Sequence, residues 1–316
     1  AAPSLAQQQD DASTNNEYPG PYEDPHIAFG NSFLLHRSPC PAINALANHG
    51  VIPRDGINVD TELLAKTLGA AFGVSRDFVA RVIEQSKKMG VPTTTLINEN
   101  VTTWTGSGVD MSTSYETFNL TDLYAHNVVE HDASLVRQDE FFEPFAQFSQ
   151  ELFDEMVGDS DVVTREMVLE HRLRRIRNSL EFNPEATFTV EVDEGDPTTL
   201  VMAGESFFLL LLGTTDSNIT EVATSDLESF LKHNRFPSAF ESRRSRGLSE
   251  IAPPDDPLFQ EIFGYFYPAI VETVTSLENA TETIVVRRTL KSAMMKRLHQ
   301  WYMETWLVCG LPWHHS

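Results

Sequence analysis

Three short stretches of this 316-residue chain carry side chains suited to chemistry rather than packing. The first is Ser38-Pro39-Cys40-Pro41-Ala42-Ile43-Asn44-Ala45-Leu46-Ala47-Asn48-His49-Gly50. Pro41 suits the first position of a helix, where its missing N–H costs nothing, and Gly50 is placed to end that helix. Cys40 then takes the N-cap position, facing unpaired backbone N–H groups and the positive end of the helix dipole. That setting favours the thiolate, the form that ligates metals. A buried, inert cysteine beside a turn fits the same segment.

The second stretch is Glu130-His131-Asp132-Ala133-Ser134, expected at the end of a helix begun near Thr121. Glu130 and Ser134 offer hard oxygen ligands to a divalent cation such as Mg²⁺, and His131 is suited to orienting a catalytic acid. A polar helix terminus with a capping Asp or Ser is the plainer reading. His126 and His131 lie on different faces of the expected helix, which is poor geometry for a hydrolytic zinc pair. The third stretch runs from Gly204 to Gly213. If helical, it places Glu205, Phe208, Leu209 and Leu212 on one face. An acid opening an apolar helix is costly to bury unless paired or functional. Burial raises its pKa, and a nearby imidazole helps set its protonation. From solvent, Glu205 would only stabilise the helix N-terminus.

The elements that must position these groups are mostly helical. Helices are expected at 41–49, after the caps Asp60 and Ser75, at about 121–131, from Thr164 to Leu180, at 205–212 and at about 281–308. The second capped helix carries Phe78, Val79, Val82 and Ile83 on one face and ends at Gly90. In a chain this acidic, Arg172, Arg174, Arg175 and Arg177 read as surface ion pairs rather than an anion site. Residues 92–119 and 237–257 read as loops, with an aromatic-rich segment after the latter. Thr187 to Val192 is the one convincing strand-like alternation. Residues 1–25 read as an extended arm. No repeat or linker is visible, so the expectation is one mainly α domain over 1–316, with minor β.

With 46 acidic and 23 basic side chains, the formal charge is −23. Such a surface repels nucleic acid and anionic membranes, and the longest apolar run, Phe207 to Leu212, is too short to span a bilayer. Sequons at Asn100, Asn119, Asn218 and Asn279 together suggest a secreted, extracellular glycoprotein, and Ala1-Ala2-Pro3 reads as a processed N-terminus. Cys40 and Cys309 are the only cysteines, which excludes a disulfide scaffold.

In their order, the three stretches resemble the fungal heme-thiolate peroxidases, the family of chloroperoxidase and the unspecific peroxygenases. Pro53-Arg54-Asp55-Gly56, Asn119-Leu120-Thr121-Asp122-Leu123, and the Arg172 to Asn178 helix leading to Ser179 and Asn183-Pro184 extend the likeness. The resemblance implies a helical domain enclosing heme b, with Cys40 as proximal ligand to the iron. Glu205 would be the distal acid–base that moves a proton between the peroxide oxygens, oriented by His131. Glu130, the backbone carbonyl of His131, and Ser134 would bind a Mg²⁺ that also meets a heme propionate. Phe208 would line the distal pocket. Thr198 stands where long-type members carry an arginine, and His131 is present, so the chain is similar to the short type. The implied enzyme uses hydrogen peroxide to insert oxygen into small organic substrates, with peroxidase activity and halide oxidation beside it. The alternatives are an enzyme that is mainly a haloperoxidase, and a secreted heme- or cation-binding protein without turnover. Some short-type members are similar in pairing through a C-terminal disulfide, which implies a homodimer bridged at Cys309.

Overall fold

The computed structural model describes residues 22–23, 35–88, 90–98, 103–105, 108–110, 113–126, 129–186, 188, 198–212, 221–238, 240, 250–253 and 255–279. At 97–98, 103–105, 108–110, 113–114, 198–200, 207–208 and 278–279 the description is of the backbone alone. The expected arm at 1–25, apart from Tyr22 and Glu23, and the expected helix at 281–308 lie outside the described residues. So does the expected strand at 187–192, except for Phe188.

Helix α1 (Pro41–Asn48) starts as its sequence dictates. Cys40 is extended, with φ −85° and ψ 112°, and Pro41 follows as the first helical residue. Every residue of α1 after Pro41 is buried, so its alanines let neighbouring elements approach closely. Strand β1 (Val59–Asp60) leads into α2 (Thr61–Phe72), where the Asp60 carboxylate accepts from Leu63 N at 2.7 Å. Gly73 ends α2 in the left-handed region at φ 65°, a conformation that costs a side chain dearly. Ser75 Oγ caps α3 (Arg76–Lys88) through Phe78 N at 3.3 Å.

The stretch expected as loop contains strands. β2 (Thr94–Asn98) and β5 (Thr113–Phe118) pair antiparallel, with Leu96 opposite Tyr115, and β1 adds to β5 to give the order β1-β5-β2. β3 (Thr103–Thr105) and β4 (Gly108–Asp110) form a hairpin between them. Threonines dominate these strands. Their branched side chains favour extended backbone, but their polarity hides the apolar alternation by which a strand is read.

The helix expected over 121–131 is also absent. A single 3₁₀ turn at Leu120–Tyr124 buries Leu120 and Leu123, three residues apart, and no further apolar residue continues that face. The chain then bridges His126 to Glu130 and passes Ala133 at φ 59°. Glu130 to Ser134 therefore form a turn rather than a helix end.

The second half is more regular. α4 (Gln150–Val157) precedes β6 (Val162–Thr164), which pairs with β7 (Glu221–Ala223). α5 (Arg165–Phe182) is capped by Thr164 Oγ1 and stops at Asn183, just before Pro184. α6 (Thr198–Leu210) and α7 (Thr224–His233) follow. The aromatic-rich segment is itself a helix, α8 (Pro257–Asn279). Phe259, Ile262, Phe266, Ile270 and Val274 make its buried stripe. It packs against α5 and α6. The buried apolar side chains join in one continuous cluster that draws on α1, α2, α5, α6, α7 and α8, and the architecture is mainly α with small sheets.

Candidate active site

The loop before Cys40 is tied to the helix after it. Asn44 Oδ1 accepts from Ser38 N at 2.8 Å, and Asn44 Nδ2 donates back to Ser38 O at 2.8 Å. Arg37 reaches Asn48 Oδ1 through Nε at 3.1 Å, so both asparagines of α1 fasten the segment. The thiol points at the helix start. Burial pushes its pKa up, and the backbone N–H groups of Ile43 and Ala42 pull it down less strongly. The expected thiolate-favouring helix end is therefore present but outweighed by burial in the protein alone. Glu205 adds a further upward push, which places its carboxylate within electrostatic reach of Cys40.

Glu205 sits in the middle of α6 rather than at its opening, because that helix begins at Thr198. Arg172 of α5, with no exposed surface, forms an ion pair with Glu205 Oε2. His131 Nε2 lies 3.5 Å from the same oxygen. Burial alone would raise this carboxyl, as expected from its apolar helix, but the Arg172 charge and His131 hold it well below the usual carboxylate range. Some 26% of the Glu205 side chain is accessible, and Cys40 is half-buried, yet burial is the largest influence on both groups. Both groups are thus set deep in the protein and neither is fully covered.

Two arginines of α5 hold the Glu-His-Asp turn. Arg172 Nη1 donates to Ala133 O at 2.5 Å, and Arg175 Nε donates to Ser134 O at 2.9 Å. Arg175 also meets Asp139 Oδ1 at 2.9 Å, and that same oxygen accepts from Ala133 N at 3.0 Å. Asn183 Nδ2 joins Asp132 and Asp139 at 2.9 and 3.1 Å. Burial, with Asp139 nearby, pushes Asp132 up to about 6. The surface-pair reading thus fails for Arg172 and Arg175, which are buried, while Arg174 and Arg177 are exposed as expected. The missed signal was positional: Arg172 and Arg175 share a helix face with Val168, Ile176 and Leu180. Nothing in the local sequence marked Asp139 or Asn183 as their partners.

Glu130 is engaged by His126 Nδ1 at 2.6 Å, and Glu140 approaches the same nitrogen at 2.8 Å. The Glu130 bond is the main reason that His126 is raised to about 9. Ligand atoms of His126, Glu130 and Glu140 lie within 4.8 Å of one another. Ser134 is half-buried and held through its carbonyl. Phe208 lies on α6, one turn beyond Glu205, but its side chain is outside the described residues. Asn119 accepts from Asn58 N at 3.1 Å. Asn100, Asn218 and Cys309 lie outside the described residues, as does the side chain of Asn279.

A half-buried cysteine at a helix N-terminus stands within electrostatic reach of an acid paired with a buried arginine and a histidine. Residues 21–245 match the family described as Peroxidase, family 2, and the chain belongs to that family. Its relatives include an aromatic peroxygenase of Coprinellus radians, 30% identical over 48% of this chain and 59% of that protein. An aromatic peroxygenase of Cyclocybe aegerita is 28% identical over 48% of this chain and 41% of its own length. A chloroperoxidase of Leptoxyphium fumago is 33% identical over 38% of this chain and 28% of its own length. The matches thus span between about a quarter and three-fifths of these relatives.

Proposed function

We propose that the chain is a secreted heme-thiolate peroxygenase that uses hydrogen peroxide to insert oxygen into small organic molecules. One observation supports this reading: Glu205, held by Arg172 and His131, lies within electrostatic reach of Cys40 at the start of α1. Cys40 suits the proximal position, because the Ala42 and Ile43 amides can hydrogen-bond a coordinated sulfur and temper its donation. A thiolate-ligated heme supplies the chemistry of O–O cleavage and oxygen transfer.

The protein's own share is proton handling. Glu205, held ionised, accepts the proton of one peroxide oxygen and returns it to the other, which leaves as water. His131 orients that carboxylate. Phe208 and Val129 would give the approach an apolar character that favours organic substrates. Halide oxidation is a second reading, supported by the chloroperoxidase relative. The ferrous–carbon monoxide spectrum tests the class: a strongly red-shifted, thiolate-type Soret band is expected, and a protein that purifies colourless would overturn it.

Three further assignments belong to this reading. Mg²⁺ would bind through Glu130, the His131 carbonyl and Ser134, so Glu130→Gln should weaken both cation binding and heme retention. Metal analysis finding no divalent cation in heme-loaded protein would remove it. Secretion rests on the acidic surface and the sequons at Asn100, Asn119, Asn218 and Asn279. A homodimer bridged at Cys309 should run at twice the monomer mass on a non-reducing gel and collapse with reductant.

A further inference from the structure

Arg172 is a costly residue to keep where it is. Its side chain has no exposed surface, and a buried guanidinium is unfavourable unless its partners are well placed. Its two partners lie on two different parts of the site: the Ala133 carbonyl in the Glu-His-Asp turn and the Glu205 carboxylate on α6. Its Nε has no hydrogen-bond partner, which adds to that cost. Arg172 and His131 both approach Glu205 through Oε2. Among the described residues, none meets Oε1.

We propose that Arg172 is a positioning residue for Glu205: by clamping Oε2 to the turn that carries His131, it leaves Oε1 as the oxygen held ready for peroxide. This rests on the acid–base role proposed above for Glu205. A carboxylate turns freely about its last bond. Without the clamp, the whole carboxylate would swing away from the peroxide, and misplacement on the order of 1 Å can lower a rate about 100-fold.

The test uses the purified, heme-loaded protein mixed with hydrogen peroxide by stopped flow. Arg172→Gln should slow the peroxide step roughly 10- to 100-fold, and Arg172→Lys should recover part of the loss. The double variant Arg172→Gln/Glu205→Gln should be no slower than Glu205→Gln alone, because Arg172 acts only through that acid. A structural role would instead give losses that multiply. Independently of turnover, the Glu205 carboxylate stretch, isolated as the infrared difference against Glu205→Gln, should shift when Arg172 is replaced. If Arg172→Gln fails to accumulate, Arg172→Lys carries the same two measurements. A wild-type peroxide step, an unmoved carboxylate band or multiplying losses would each overturn the proposal. Loss in Glu205→Gln with none in the Arg172 variants would sink only this inference. A wild-type peroxide step in Glu205→Gln would remove the proposed acid–base role and this inference with it.

Discussion

His131 Nε2 stands 3.5 Å from Glu205 Oε2, while its Nδ1 meets the Asp132 carbonyl at 2.7 Å. A carbonyl only accepts, so Nδ1 carries a proton, and the ring is fixed with Nε2 toward the acid. His131 is 4% exposed, so the surrounding packing adds to that orientation.

This arrangement makes His131 subordinate to Glu205. Glu205→Gln should leave heme binding intact and slow the peroxide step on the order of 10²–10⁴-fold, since it removes the proton carrier itself. His131→Ala should cost less, because Arg172 still holds the carboxylate. Stopped-flow mixing of the two variants with peroxide decides it, and a greater loss in His131→Ala would reverse their roles.

Cys40 is the sole cysteine among the described residues. Cys40→Ala should lose the thiolate-type Soret band while keeping the helical signal in circular dichroism, since Asn44 and Ser38 fasten the loop without the thiol. Retention of both the wild-type spectrum and the wild-type oxygenation rate would refute the ligand assignment.

Asp139 neutralises Arg175 and also accepts from Ala133 N and Asn183 Nδ2. The Asp139 and Arg175 side chains are 2% and 6% exposed. Asp139→Ala would strand a buried cation together with two polar donors, so a loss of about 3–5 kcal/mol is expected in urea unfolding. A loss within about 1 kcal/mol would show that water reaches this turn.

His171 makes stability acid-sensitive. Burial, aided by the neighbouring arginines, pushes it from 6.5 down to about 4, although its bond to the Leu135 carbonyl opposes this. Between pH 6.5 and 4 the unfolded chain takes up a proton that the folded chain refuses, so stability falls as pH falls through that window. The loss should approach ~3 kcal/mol by pH 4. His171→Gln can keep the Leu135 bond and should lack this part of the slope in unfolding measurements at pH 7 and pH 4.5.

Much of the site is legible along the chain, because local rules govern it. Pro41 after Cys40 starts a helix wherever it occurs, and the caps at Asp60, Ser75 and Thr164 satisfy donors within their own turn. The order of the cysteine, Glu-His-Asp and Glu205 stretches points to the family before any coordinates do. Other features depend on what each segment packs against. The Thr-rich strands β2 and β5 take their register from each other. The segment after Tyr124 is a turn because Arg172, Arg175 and Asp139 satisfy its backbone. Whether Arg172 and Arg175 face water or the interior is decided by α5 packing beside that turn and α6. The pKa of Glu205 follows from the same contact, since an apolar helix alone would raise it and a guanidinium from 33 residues away in sequence lowers it instead. Local sequence therefore determined the helix starts and the kinds of chemistry available. Tertiary packing alone decided which charges are buried together, because desolvation and pairing depend on neighbours that the chain brings in from afar.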